Sequence, residues 1–231
     1  MLDLFLPRLC PLCQGRLLPG EEAVCLHCLA TLPRVRAERP GNEIEHALVG
    51  KFPFEHATSF CYYRPGSEMG GIVRQSKFGG RPWLNTRMAR LFVQELRLAA
   101  DADGVGGWPY DIDLIVPIPL HLLRLLMRGY NQSVAIAEAL CEAWHLPVVT
   151  DCLCKRRYTS SQVGLSGHER MRHLQGTFVV RHPERLAGRH LLLVDDVLTT
   201  GATLTAAADA LLAAVPGVRL SVLTLTYAGG T

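Results

Sequence analysis

The stretch LLLVDDVLTTGATL, residues 191–204, decides how this chain folds. From His190 to Val194 the sequence is a continuous apolar run suited to a strand buried on both faces. Such a strand delivers two adjacent carboxylates, Asp195 and Asp196, to its carboxyl end, and a loop of small hydroxylated residues around Gly201 then opens a helix. Thr199, Thr200, Gly201, Ala202 and Thr203 offer hydroxyls and backbone N–H groups at that helix N-terminus, where the macrodipole favours an anion. Gly201 permits close backbone approach. Two carboxylates facing a phosphate would repel it, so accepting ribose hydroxyls or helping to hold a hydrated Mg²⁺ suits them better. No GxxxxGK[ST] lysine is present, which argues against a P-loop NTPase. The plainer alternative, an Asx turn and a capped helix with two exposed aspartates, does not account for the TTGAT loop.

Working outward, Leu204, Ala207, Ala208, Leu211 and Leu212 predict a helix from Ala202 to Val215, stopped by Pro216-Gly217. A last strand is expected from Arg219 to Thr226. Upstream, strands are expected at 56–64, 114–116 and 147–150. Helices are expected at 84–99, with Leu84, Met88, Leu91, Phe92 and Leu96 inward, and on a face made by Val134, Ala137, Cys141 and Trp144. Alternating strands and helices predict an α/β domain with a largely parallel sheet.

Composition agrees with a globular chain. It has 231 residues, 48% hydrophobic and 19% charged, enough to bury a core and too apolar for disorder. The formal charge of +3 is too small to indicate a nucleic-acid or membrane partner by itself. The start, MLDLFLPRLCPLC, lacks a basic n-region and does not read as a secretory signal, so a cytoplasmic protein with reduced thiols is expected. Four of the eight cysteines form two CxxC pairs, Cys10/Cys13 and Cys25/Cys28, separated by 11 residues. Four thiolates from two tight turns can close a tetrahedral structural Zn²⁺ site with no open position. His27 is expected to be a bystander, and Cys61 and Cys141 to be core residues. The organisation expected is a zinc-knuckle segment at 1–34, a charged linker or exposed connection at 35–50, and one α/β domain at 51–231.

A third constellation is VPIP at 116–119, followed by Arg124, Arg128 and the run Gly129-Tyr130-Asn131-Gln132. Arginine presents a planar fork to diphosphate oxygens, so Arg124, Arg128 and also Lys77 are candidates for a second anion subsite. Residues 155–189 hold eight Lys/Arg against two Glu, with Tyr158 and Phe178 as candidates for stacking on single-stranded DNA.

Taken together, these motifs resemble the type I phosphoribosyltransferases, whose 5-phosphoribosyl-1-diphosphate (PRPP) signature is an apolar strand, two acids and a Thr/Gly phosphate loop. The CxxC pairs, Gln75-Ser76-Lys77-Phe78 with Arg81, VPIPL at 116–120, the run Arg128 to Ser133, and Thr159, Gln162, Arg170 and Phe178 narrow the resemblance to the ComF family. In that family the fold carries an N-terminal zinc knuckle. Lys155 stands where the family usually has Arg, His173 where it has Asn. The resemblance implies that Asp195 and Asp196 meet the ribose hydroxyls, that residues 199–203 cradle the 5-phosphate, and that Mg²⁺ accompanies PRPP. It implies phosphoribosyl transfer to an unidentified acceptor in competence or DNA utilisation. The alternative is a non-catalytic module that binds PRPP, a nucleotide or single-stranded DNA and docks a helicase-like ATPase.

Overall fold

The apolar run ahead of the two aspartates forms an inner strand of a parallel sheet in the computed structural model. The structure describes residues 7–35, 41–64, 66–103, 108, 111–156 and 176–229. The strands are β1 (Ala57–Tyr62), β2 (Leu114–Pro117), β3 (Leu153–Lys155), β4 (Phe178–Val180), β5 (His190–Leu198) and β6 (Arg219–Tyr227). The helices are α1 (Leu26–Thr31), α2 (Glu43–Leu48), α3 (Glu68–Phe78), α4 (Trp83–Asp103), α5 (Leu122–Arg128), α6 (Gln132–Trp144) and α7 (Ala202–Ala214).

The main sheet has the order β1-β6-β5-β2, every pairing parallel, with Val194 opposite Leu223 and Pro117. β5 and β6 are inner strands, which is why both read as nearly unbroken apolar sequence. β3 and β4 pair separately and antiparallel. The segment 147–150, expected to be a strand, makes only a parallel bridge from Val148 to Ile115 at the free side of β2. Its Pro147 has no N–H to extend the ladder.

Two cores lie on the two faces of the sheet. On one, Phe60, Leu192, Val194, Leu223 and Leu225 meet Ile72 of α3, Met88 and Phe92 of α4, and Ile136 and Leu140 of α6. On the other, Leu191, Leu193 and Val222 meet Leu204, Ala207, Ala208 and Leu211 of α7 together with Ile44 and Leu48 of α2. The architecture is thus a mainly parallel sheet flanked by helices, with a small N-terminal four-cysteine segment. Among the described residues no helix is long and apolar enough to cross a membrane.

Three local expectations are corrected. Residues 35–50, read as a linker or exposed connection, include α2, which Asn42 caps by accepting from the N–H groups of Ile44 and Glu45. Ile44 and Leu48 are wholly buried in the core, so two apolar positions in a charged stretch outweigh its polar average. In α6 the fully buried stripe runs through Ile136, Ala137, Ala139 and Leu140; of the expected face, Ala137 is buried and Trp144 packs against the core, while Val134 and Cys141 are only half-buried. Phe178 is 5% exposed within β4, so its ring packs into the core and is closed to base stacking.

The four-cysteine segment shares the first core rather than standing apart. Leu17, Ala23, Val24 and Leu32 pack into the cluster built by α3 and α4, and Gln75 donates from Nε2 to the Pro11 carbonyl at 3.0 Å. Arg34, leaving the segment, forks onto Glu95 of α4 through Nε and Nη2 at 2.8–3.2 Å and covers the Phe60 ring at 4.4 Å.

Candidate functional site

At the carboxyl ends of the strands lies a cleft of about 530 Å³ that gathers residues from α3, the β2–α5 loop, α5, the start of α6, β3 and the β5–α7 loop. Such a crevice is where open α/β sheets bind ligands. Asp195, Asp196, Thr199, Thr203, Lys77, Arg124 and Arg128 all border it, as do Arg74, Gln132, Ser133 and Lys155.

The carboxylates come from the C-terminal half of β5, and each is held differently. Asp195 Oδ1 accepts from Ser133 Oγ at 3.0 Å and from the Asp196 N–H at 2.9 Å. Burial, reinforced by the neighbouring Asp196 charge, pushes the Asp195 carboxyl up to about 7. Asp196 Oδ2 lies 2.6 Å from Lys77 Nζ, with both side chains mostly covered. That contact is a charge pair without hydrogen-bond alignment, since Oδ2 has no hydrogen-bond partner. Lys77, expected to face an anion, therefore serves first as the counter-ion of Asp196. Thr226 Oγ1 holds the Asp196 carbonyl at 3.0 Å.

The loop after β5 takes the shape its glycine allows. Gly201 has φ of 78° and precedes α7 without any side-chain cap. The Gly201 cap has no side chain to take up the first N–H groups of α7, and only a 3.5 Å contact from the Ala202 N–H to Thr200 Oγ1 engages them from the side, which leaves the end open to an anion. A Cβ at this glycine would lie 3.1 Å from Leu48 Cδ2 and 3.4 Å from Lys51 Cδ, so α2 and Lys51 back the loop directly. Thr199 is exposed, Thr203 half-buried and Ala202 buried.

Across the cleft, the 116–133 run makes a second wall. Gly129, in the left-handed region, ends α5 one residue after Arg128. Asn131 then caps α6 through the Ser133 N–H at 3.1 Å and donates to the Ile118 carbonyl at 3.0 Å. This cross-link fixes the start of α6 against the end of β2. Arg128 stacks on Phe78 at 5.3 Å and donates to Gln132 Oε1 at 3.2 Å; burial lowers its basicity. Lys155 lies over the Phe178 ring at 5.3 Å, with its basicity lowered by burial and then by the neighbouring Arg124 charge. Five cationic side chains thus share a cleft with two carboxylates, and cations crowded along a cleft focus a field that attracts an anion.

Sequence reasoning named the aspartates, the loop and Lys77, Arg124 and Arg128; the structure brings the aspartates, the three cations, Thr199 and Thr203 to one cleft, whereas Thr200, Gly201 and Ala202 are not among its lining residues. It missed Ser133, Gln132 and Lys51, whose roles depend on neighbours 62, 4 and 150 residues away. Ser133 and Gln132 were quoted only as parts of a motif; for Lys51 the sequence holds no signal. Arg157, Arg170, Arg172, Tyr158, Thr159, Gln162 and His173 lie outside the described residues.

The four N-terminal cysteines converge as their spacing predicts. The Sγ atoms of Cys10, Cys13, Cys25 and Cys28 all lie within 4.8 Å of one another, Cys13 and Cys25 at 3.7 Å. Zinc–thiolate bonds of about 2.3 Å in a tetrahedron place sulfurs about 3.8 Å apart, so this set could hold such a metal ion. Backbone N–H groups of Gly15, Cys25 and Cys28 point at three of the sulfurs at 3.4–3.5 Å. Burial opposes ionisation of Cys10, but hydrogen bonds from backbone N–H groups outweigh it and the thiol sits at about 7.

Comparison with known proteins places the chain in a family. Residues 119–228 match the phosphoribosyl transferase domain model. DNA utilization protein YhgH of Salmonella typhi is 32% identical over 222 residues, covering 90% of this chain and 92% of that protein. Competence protein F of Haemophilus influenzae is 30% identical over 134 residues, 58% of this chain and 57% of that one. Among solved structures, glutamine PRPP amidotransferase from B. subtilis aligns over 69% of this chain and 28% of that chain at 19% identity, with a TM-score of 0.37. With a full-length relative above 30% identity and a phosphoribosyl transferase domain behind its two aspartates, the chain belongs to the ComF family of phosphoribosyltransferase-like proteins, together with YhgH and competence protein F.

Proposed function

We propose that the cleft binds PRPP with Mg²⁺ and that the chain transfers, or senses, the phosphoribosyl group in competence or DNA utilisation. The observation that carries this reading is the pairing of Asp195 and Asp196 with an α7 N-terminus capped by a glycine on one side and Arg124, Arg128 and Lys155 on the other. The 5-phosphate would sit on the N–H groups following Gly201, and the ribose hydroxyls would donate to the carboxylates. The diphosphate would face the arginines and Lys155.

Mg²⁺ is commonly held by one or two carboxylates plus substrate phosphates, and Asp195 with Asp196 fits that donor set. When bound, it supplies neutralisation of charge on the departing diphosphate. The chain's own part is to place cations where that charge grows as the bond at ribose C1 breaks, in a cleft that keeps them partly desolvated. Asp195 is fixed by Ser133 and Asp196 by Lys77, so ribose meets carboxylates already oriented. The four cysteine thiolates are assigned Zn²⁺ in a structural role, since all four positions are protein sulfurs.

Calorimetry of PRPP with Mg²⁺ tests the site: Asp195→Ala combined with Asp196→Ala should abolish binding, and unchanged affinity would refute the assignment. Diphosphate release, followed with a panel of bases and with DNA, separates transfer from the alternative of a non-catalytic PRPP- or single-stranded-DNA-binding module that docks a helicase-like ATPase.

A further inference from the structure

Gln132, in the first turn of α6, is 2% exposed and borders the cleft, and its Nε2 has no hydrogen-bond partner. A buried amide donor without an acceptor is costly, and native proteins rarely keep one without a use. Its direction is set by its neighbour. Arg128 Nη1 donates to Gln132 Oε1 at 3.2 Å, and a guanidinium has no acceptor, so the oxygen of the amide must face Arg128 and the NH₂ must turn away from it. The Tyr130 hydroxyl gives its proton to the Ser76 carbonyl, and its oxygen lies close enough to feel the Gln132 amide dipole, but the pair falls short of hydrogen-bond geometry, so Nε2 keeps room for a better acceptor.

The unmet donor therefore calls for an acceptor brought by a ligand. The side chains around it decide which kind. A hydroxyl has a proton to give and is better served by the acceptor oxygens of Asp195 and Asp196. A phosphoryl oxygen only accepts, and Gln132 adjoins Arg128, with Arg124 and Lys155 lining the same cleft. We propose that Gln132 donates from Nε2 to a non-bridging oxygen of the diphosphate moiety, with Arg128 acting both as a cation for that moiety and as the group that fixes the amide's orientation. The inference rests on the reading of the cleft as a PRPP site and adds a neutral donor that selects for diphosphate.

The test is calorimetry in Mg²⁺ with two probes, inorganic diphosphate and ribose 5-phosphate, on wild type, Gln132→Met and Gln132→Glu. Loss of one hydrogen bond to a charged acceptor should weaken diphosphate about tenfold in Gln132→Met, while ribose 5-phosphate stays within about twofold. Gln132→Glu keeps an acceptor for Arg128 but sets a negative charge beside the ligand, so its diphosphate loss should be larger. Unchanged diphosphate affinity in both variants, or equal weakening of both probes, would overturn the assignment to Gln132 alone. Wild-type protein that binds neither probe would overturn the reading of the cleft and this inference with it.

Discussion

Asp195→Asn should make the folded protein more stable at neutral pH, and the gain should vanish on acidification. In the folded chain burial and the Asp196 charge raise the Asp195 carboxyl to about 7, whereas an unfolded aspartate titrates near 3.9. The folded state therefore binds this proton more tightly, and between about pH 4 and 7 the unfolded chain carries fewer protons at this position than the folded one. Stability at this position is greatest below about pH 4, falls as pH rises, and levels off above about 7. About three pKa units at 1.36 kcal/mol each give about 4 kcal/mol for the full span. Asparagine keeps an oxygen for Ser133 Oγ and the Asp196 N–H, so little packing changes. Urea unfolding of wild type and variant in Mg²⁺-free buffer, repeated from about pH 4 to 8, reads the difference directly. The two stabilities should converge at the acid end and separate by several kcal/mol at the alkaline end. Parallel curves across that range would refute the claim that this carboxyl is held at a folding cost.

Two further outcomes are expected. Cys10→Ser with Cys13→Ser should remove one bound zinc per chain, measured by elemental analysis, and should lower hydrogen-exchange protection in the first 35 residues; wild-type protein without metal would refute the site. Gly201→Ala should cost about 1–2 kcal/mol in thermal unfolding, from the left-handed backbone and the Cβ contact with Leu48, and should weaken PRPP binding in calorimetry more than the loss of stability accounts for. An unaltered melting temperature would show that the loop accommodates a side chain.

Much of the molecule is legible in its sequence where local chemistry and tertiary role coincide. β5, the DD pair, the TTGAT turn and α7 follow one another in a single stretch, and each residue's pattern already states its burial. The four cysteines are legible for the same reason, because metal-ligand spacing is local. α3 is harder to read: Glu68–Phe78 contains Gly70 and Gly71, and its apolar positions are spread thinly. Only the fold reveals why its QSKF end matters, with Gln75 reaching Pro11 of the four-cysteine segment and Lys77 reaching Asp196. The β3–β4 pair joins segments more than 20 residues apart through three residues each, below what alternation can signal. α5 carries exposed Leu122, Leu123, Leu126 and Met127 and buries none of its residues, so apolar content points the wrong way there. Gln132 and Ser133 look like ordinary helix-start residues until the partners opposite them are known.

The bridge between Arg34 and Cys61 runs antiparallel along the outer side of β1, with Val35 donating to Phe60 and Tyr62 donating to Pro33. On the opposite side Val148 occupies the flank of β2. Among the described residues both margins of the sheet are thus partly covered by pieces of the same chain, one of them the exit from the four-cysteine segment. A sheet margin left bare is a template on which a second chain can polymerise. In this molecule the exit from the four-cysteine segment lies along that margin, so the same stretch that orders the cysteines also shields part of the sheet's edge.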